Sequence, residues 1–171
     1  MSFYFIIRGP LGAGKSTISA EVAKAVGGRH IFIDAILEEH NLEEWDQGYI
    51  SERSFLRANE LAAQEARVLL DRGTSVVFDG NFYYRSVVED LETRLPFPHR
   101  TVTLRAPLPV CVARDAGRTP SYGPEAAREV FEKTTAFDYG TVIDAVGPVP
   151  VVVRRVLELL PERRRPGSRT L

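Results

Sequence analysis

Gly9-Pro10-Leu11-Gly12-Ala13-Gly14-Lys15-Ser16 is the stretch on which the reading of this chain turns. It matches the pattern G-x-x-x-x-G-K-[ST] in full. Each residue type has a physical purpose. Backbone N–H groups directed inward can cradle an anion, and glycine permits both the turns and the close approach this needs. A helix that begins where the loop ends adds its positive end to the same point. Lys15 then reaches the β- and γ-phosphates, and the Ser16 hydroxyl completes a Mg²⁺ shell. Gly9, Leu11, Gly12, Ala13, Gly14, Lys15, Ser16 and Thr17 are the expected nucleotide-binding residues, with Lys15 also catalytic.

The flanks supply the context the motif requires. Phe3-Tyr4-Phe5-Ile6-Ile7 is an unbroken apolar run, expected as a strand buried on both faces of a parallel sheet. Residues 15–26 have helical spacing, with Ile18, Val22, Ala25 and Val26 near one face, and Gly27-Gly28 stops the helix. Further along, 30–34, 74–79 and 100–105 read as strands and 141–144 as a weaker one; the first two close on acids, Asp34 and Asp79. Ser51 is placed as the N-cap of a helix over 52–71, with Phe55, Ala58, Ala62, Ala66, Leu69 and Leu70 as its stripe. Residues 85–94, 108–116, 124–133 and 149–160 complete the helices, and 35–50 reads as less regular. Strands alternating with helices define an α/β sandwich with a parallel sheet and right-handed crossovers. One domain over residues 1–161 is expected, followed by a basic, breaker-rich tail at 162–171.

Composition narrows the function. With 171 residues, 44% hydrophobic and 26% charged, the chain suits one globular core. A formal charge of −1 argues against an extended nucleic-acid surface, though gripping the end of one strand needs no basic surplus. Cys111 stands alone, so no disulfide framework or thiolate metal site can form, and a reducing cytoplasmic compartment is expected. It reads as a small buried residue rather than a reactive thiol. No apolar run has the length of a membrane span. His30, His40 and His99 have no ligand spacing.

The phosphate loop alone says nucleoside triphosphate; other residues decide the reaction. No Asn-Lys-x-Asp or Thr-Lys-x-Asp guanine reader is present. Asp34 follows the second strand, where strand ends line the ligand crevice, and a carboxylate there accepts or orients the proton of an attacking hydroxyl. It also suits a helix N-cap, and the two roles can coexist. Asp79 is expected to serve Mg²⁺, together with Ser16, or else to be a turn acid. Arg114 and Arg118, four apart, are expected in a lid over about 114–124, closing on the transferred phosphoryl group; the bland reading is charge at a helix C-terminus. Acceptor binding falls between the second strand and the long helix, and on 81–85. Arg57, Asn81 and Tyr84 are the chosen acceptor residues beside Asp34.

With these residues placed, the chain resembles the small P-loop kinases of the nucleoside-monophosphate-kinase type. That group includes shikimate and gluconate kinases, chloramphenicol phosphotransferase, polynucleotide 5′-kinase and seryl-tRNA(Sec) kinase. Val77-Phe78-Asp79-Gly80-Asn81-Phe82-Tyr83-Tyr84-Arg85 and the segment from Leu104 to Asp115 carry the similarity beyond the loop. The resemblance implies a P-loop NTPase fold with a five-stranded parallel sheet in the order 2-3-1-4-5 and a small lid. It implies an adenine pocket at 144–148 that includes Gly147, and ATP with Mg²⁺ as cofactors. The implied partners are the nucleoside triphosphate and a small-molecule hydroxyl acceptor; a 5′-hydroxyl polynucleotide kinase and a switch without acceptor are the alternatives. The glycine-rich third-strand end of shikimate kinases is missing, as is a tRNA-binding appendage. The acceptor's identity, the preference for ATP over GTP and the oligomeric state stay open.

Overall fold

Every residue of β1 (Tyr4–Arg8) is buried, and alternation along it divides the core into two layers. Tyr4 and Ile6 face one hydrophobic cluster, Phe5 and Ile7 the other. The computed structural model describes residues 1–160. After β1 come α1 (Lys15–Ala25), β2 (Arg29–Phe32), α2 (Ile33–Glu39), β3 (Trp45–Asp46), β4 (Tyr49–Ile50) and α3 (Glu52–Asp71). They are followed by β5 (Val76–Asp79), α4 (Arg85–Arg94), β6 (His99–Arg105), α5 (Leu108–Ala116), α6 (Pro124–Thr135), β7 (Thr141–Asp144) and α7 (Val149–Leu157).

The main sheet runs β2-β5-β1-β6-β7 with every neighbouring pair parallel. Counting only its own strands, this is the expected order 2-3-1-4-5. One face buries Ile18 and Val22 of α1 with Val152 and Val156 of α7. The other buries Ile33 and Leu37 of α2, the Phe55-Ala58-Ala62-Ala66 stripe of α3, Val87, Val88 and Leu91 of α4, and Val130 of α6. The Ser51 cap is present, its hydroxyl accepting from the Ser54 N–H at 3.2 Å.

Three differences bear on the site. The second strand stops at Phe32, and α2 begins at once, because Ile33 and Leu37 form an i, i+4 pair that buries better as a helical stripe than as strand. Asp34 therefore lies inside the first turn of α2 rather than closing a strand. It is not the N-cap either: that position is Phe32, with no side-chain cap bond. The stretch read as irregular holds α2 and the antiparallel hairpin β3–β4, turned by Gln47 and Gly48 at φ 50° and 85°. The last helix ends at Leu157 rather than Leu160, capped by Glu158. The expected tail at 162–171 lies outside the described residues.

Candidate active site

The phosphate loop is locked by backbone geometry. Gly12 sits at φ 75°, and a Cβ there would overlap the Cys111 carbonyl, so the loop lies directly against the backbone of α5. Gly14, at φ 87°, is the N-cap of α1, which starts at Lys15. The Lys15 ammonium is buried and donates to the Pro10 carbonyl across the loop at 2.9 Å. Burial pushes its pKa below the ordinary value, while Asp79 and Asp34 act the other way. The Ser16 and Thr17 residues are exposed at the start of α1. A cleft of about 350 Å³ opens here, lined by the loop from Gly12 to Ile18, Arg114, Arg118, Ala145 and Gly147. The expected nucleotide residues from Gly12 to Thr17, Arg114 and Gly147 thus share one cavity. Gly9 and Leu11, also expected to bind nucleotide, do not line it, and Leu11 is buried in the core.

Asp34, Asp79 and Asn81 meet at the C-terminal edge of the sheet. Asn81 Nδ2 donates to Asp34 Oδ2 at 3.4 Å, and Asp34 Oδ1 is buried without a partner. Burial pushes the Asp34 carboxyl up to about 6, with Asp79 and Glu43 adding to the rise and Lys15 and Arg118 opposing it. That places a carboxyl close to neutrality within the field of the phosphate-loop lysine. Asp79 is 0% exposed. One of its oxygens lies 3.3 Å from His30 Nε2, and the other has no partner. Asp79 makes no hydrogen bond to Ser16.

The arginines separate. Arg114 lies in the last turn of α5 and donates to the carbonyls of Gly12 (3.4 Å), Ala145 (3.0 Å) and Val146 (3.2 Å). It ties the phosphate loop to the segment after β7. Arg118 lies beyond the end of α5, in the loop over 117–123, exposed and 5.6 Å from the centroid of Tyr122. That loop is organised by Asp115, which is buried and accepts from Ser121 Oγ (2.8 Å), Tyr122 N (3.1 Å) and Gly123 N (3.1 Å).

Of the acceptor residues, only Asn81 joins Asp34. The Tyr84 hydroxyl donates to the Ile50 carbonyl at 3.3 Å, so Tyr84 anchors the hairpin. Arg57 is exposed on α3 and has no hydrogen bond or ion pair among the described residues. Sequence reasoning missed His30, Asp115, Lys133 and Arg8. Lys133 of α6 lies 4.6 Å from the Tyr49 centroid and 5.0 Å from that of Tyr84. Only Arg8 carried a visible signal, a cation closing an otherwise apolar strand.

With this geometry described, known proteins can be set beside it. The model of the AAA_33 family, an AAA domain, matches residues 5–137, and the chain belongs to that family. No curated protein matches the chain significantly. Among solved structures it is similar to a sugar kinase from Janibacter sp. HTCC2649, with TM-score 0.76 and 20% identity over 92% of this chain and 94% of that one. It is also similar to a gluconokinase from Sinorhizobium meliloti 1021, with TM-score 0.69 and 22% identity over 91% and 89%. The third is the APS kinase CysC of Mycobacterium tuberculosis in complex with AMPPNP and APS, with TM-score 0.70 and 15% identity over 93% and 97%. The fold is that of small P-loop kinases. No helix among the described residues is long and apolar enough to cross a membrane.

Proposed function

We propose that this protein is a phosphotransferase that moves the γ-phosphoryl group of ATP to a hydroxyl of a small-molecule acceptor. The observation that carries this reading is Asp34. Its carboxyl, pushed up to about 6, is held by Asn81, keeps one oxygen unpartnered, and lies within the field of Lys15. An attacking acceptor hydroxyl needs a carboxylate in this position to take or orient its proton.

The roles follow from position. The Gly9–Ser16 backbone and Lys15 hold the phosphates. Asp34 takes the acceptor proton as the acceptor oxygen bonds to the γ-phosphorus and the bond to ADP breaks. Arg118, exposed at the cleft, meets the charge on the moving phosphoryl group. Arg114 acts one step back, fixing the loop to the 145–146 backbone beside the base side of the cleft. The Ser16 hydroxyl and the unpartnered oxygen of Asp79 fit a hydrated Mg²⁺, which would draw charge from the phosphate oxygens. Sugar kinase and gluconokinase neighbours favour a polyol or sugar acid as acceptor class.

The test is transfer of label from γ-labelled ATP with Mg²⁺ to sugars, sugar acids, nucleosides, drug-like alcohols and 5′-hydroxyl oligonucleotides, with Lys15→Ala as blank. Label on a small alcohol, absent in the blank, is expected. Label on oligonucleotides alone would favour an end-directed polynucleotide kinase, and label released only as free phosphate would favour a switch.

A further inference from the structure

Arg8 ends β1 and immediately precedes the phosphate loop. Strand alternation turns it away from α1 and toward the layer of α3, α4 and α6. It is the largest fully buried side chain, at 0% exposure. Among the described residues it has no ion-pair partner, which is rare for a buried cation. Main-chain oxygens compensate it instead. Nη2 donates to the carbonyls of Thr134 (2.7 Å) and Phe82 (3.4 Å). Nη1 donates to the Phe137 carbonyl (3.2 Å) and to Thr103 Oγ1 (3.1 Å). The guanidinium also lies 4.1 Å from the centroid of the Phe137 ring.

These partners are not scattered at random. Thr134 is in the last turn of α6, so Arg8 caps the negative end of the helix that returns from the Arg118 loop. Phe82 follows Asn81 and sits at φ 46°, a conformation an aromatic residue holds only when its surroundings enforce it. Burial, with Arg105 and Arg85 acting in the same direction and Asp138 against, brings the guanidinium down to about 10, still protonated at neutral pH. One buried cation joins the root of the phosphate loop, the Asn81 loop and the far end of α6.

We propose that Arg8 is a positioning residue for phosphoryl transfer: by holding the Phe82 and Thr134 carbonyls together, it keeps the Asn81–Asp34 pair and the Arg118 loop in one fixed relation to the phosphate loop. This rests on the phosphotransferase reading. Its signature is a split between binding and turnover, because the phosphates are held by the glycine-loop backbone and Lys15, none of which Arg8 contacts.

The full chain is compared with Arg8→Lys, which keeps the charge but replaces the fork with one ammonium, and Arg8→Met, which keeps the stem alone. Three quantities are read: the Kd of a fluorescent ATP analogue with Mg²⁺, turnover of γ-labelled ATP with water and with the acceptor found by the screen, and amide exchange across 81–85 and 130–137. The expected result for Arg8→Met is a Kd within about threefold of wild type, turnover down about tenfold or more, and faster exchange in both segments together, with Arg8→Lys intermediate. Undiminished turnover, exchange that rises in one segment only, or turnover and binding lost in equal proportion would overturn the role. If Arg8→Met does not fold, Arg8→Lys decides by the same criteria. A wild type with no turnover above Lys15→Ala removes the phosphotransferase reading and this role with it; normal wild-type transfer with undiminished Arg8→Met turnover removes the role alone.

Discussion

The nucleotide half of the crevice comes from eight consecutive residues, Gly9 to Ser16, braced by Arg114, whereas the acceptor half, as proposed, draws on Asp34, Asn81 and the contact of α6 with the β3–β4 hairpin. The first is written in backbone: glycine angles, N–H directions and a helix start. The second is written in side chains brought from distant elements, and it retains unpartnered oxygens on Asp34 and Asn81. Buried polar atoms left unpaired cost stability, and in this cluster a bound ligand could satisfy them.

Substitutions should separate the halves. The largest effect is expected from Asp34→Asn, a loss of about 10²–10⁴-fold in transfer with nucleotide affinity retained, measured by single turnover and by titration of a fluorescent ATP analogue. Turnover in the wild type should fall as pH drops through about 6, where Asp34 takes up its proton. Stability should move the opposite way. The Asp34 carboxyl rises from the ordinary 3.8 to about 6, so between these values the folded state holds a proton that the unfolded state releases, and stability falls as pH rises through the window. At neutral pH the folded state bears the full cost of the buried charge. Asp34→Asn should therefore be more stable than wild type at pH 7 by about 1–3 kcal/mol in urea unfolding, and the gain should vanish below about pH 4.

Arg118→Ala comes next, with turnover down about 10²–10³-fold and affinity little changed, as expected for a donor that meets charge developing in the transition state. Arg114→Ala should show the reverse balance, because its three carbonyl bonds shape the cleft rather than the moving group. If the two variants behave alike, the division between a cradle and a reacting edge is wrong. Gly12→Ala strikes the nucleotide half alone: the Cys111 backbone blocks the new methyl group, and nucleotide affinity should fall by about tenfold or more. The smallest change is Lys133→Met, which removes the cation from the Tyr49 and Tyr84 rings and should cost about 0.5–1 kcal/mol by thermal unfolding.

The same division explains what could be read from sequence. The phosphate loop was readable because its motif encodes a backbone shape that needs no distant partner. The sheet order followed from the resemblance, and its strands from apolar runs such as Val76-Val77-Phe78. The acceptor half was readable only at Asp34 and Asn81, which sit beside strand ends. Asp34 reads as the end of a strand because it closes the short apolar run Ile31-Phe32-Ile33, whereas the Ile33–Leu37 pair makes that point helical. The hairpin was hidden by strands of two residues each. Nothing in the sequence near Arg114 announces its carbonyl partners, 31, 32 and 102 residues away. Arg8 shows as a cation closing an apolar strand, but its carbonyl partners lie 74, 126 and 129 positions along the chain.

The close seat of Gly12 against Cys111 makes the chain's one thiol a built-in clock. Cys111 is sealed at 0% exposure directly behind the phosphate loop, and burial raises its thiol pKa. A thiol reagent can reach it only while the packing around α5 opens, so the labelling rate counts those openings. A ligand that clasps the loop should slow the count in proportion to its occupancy. The unmodified protein thus carries its own reporter of nucleotide engagement, one that needs neither an acceptor nor a completed reaction.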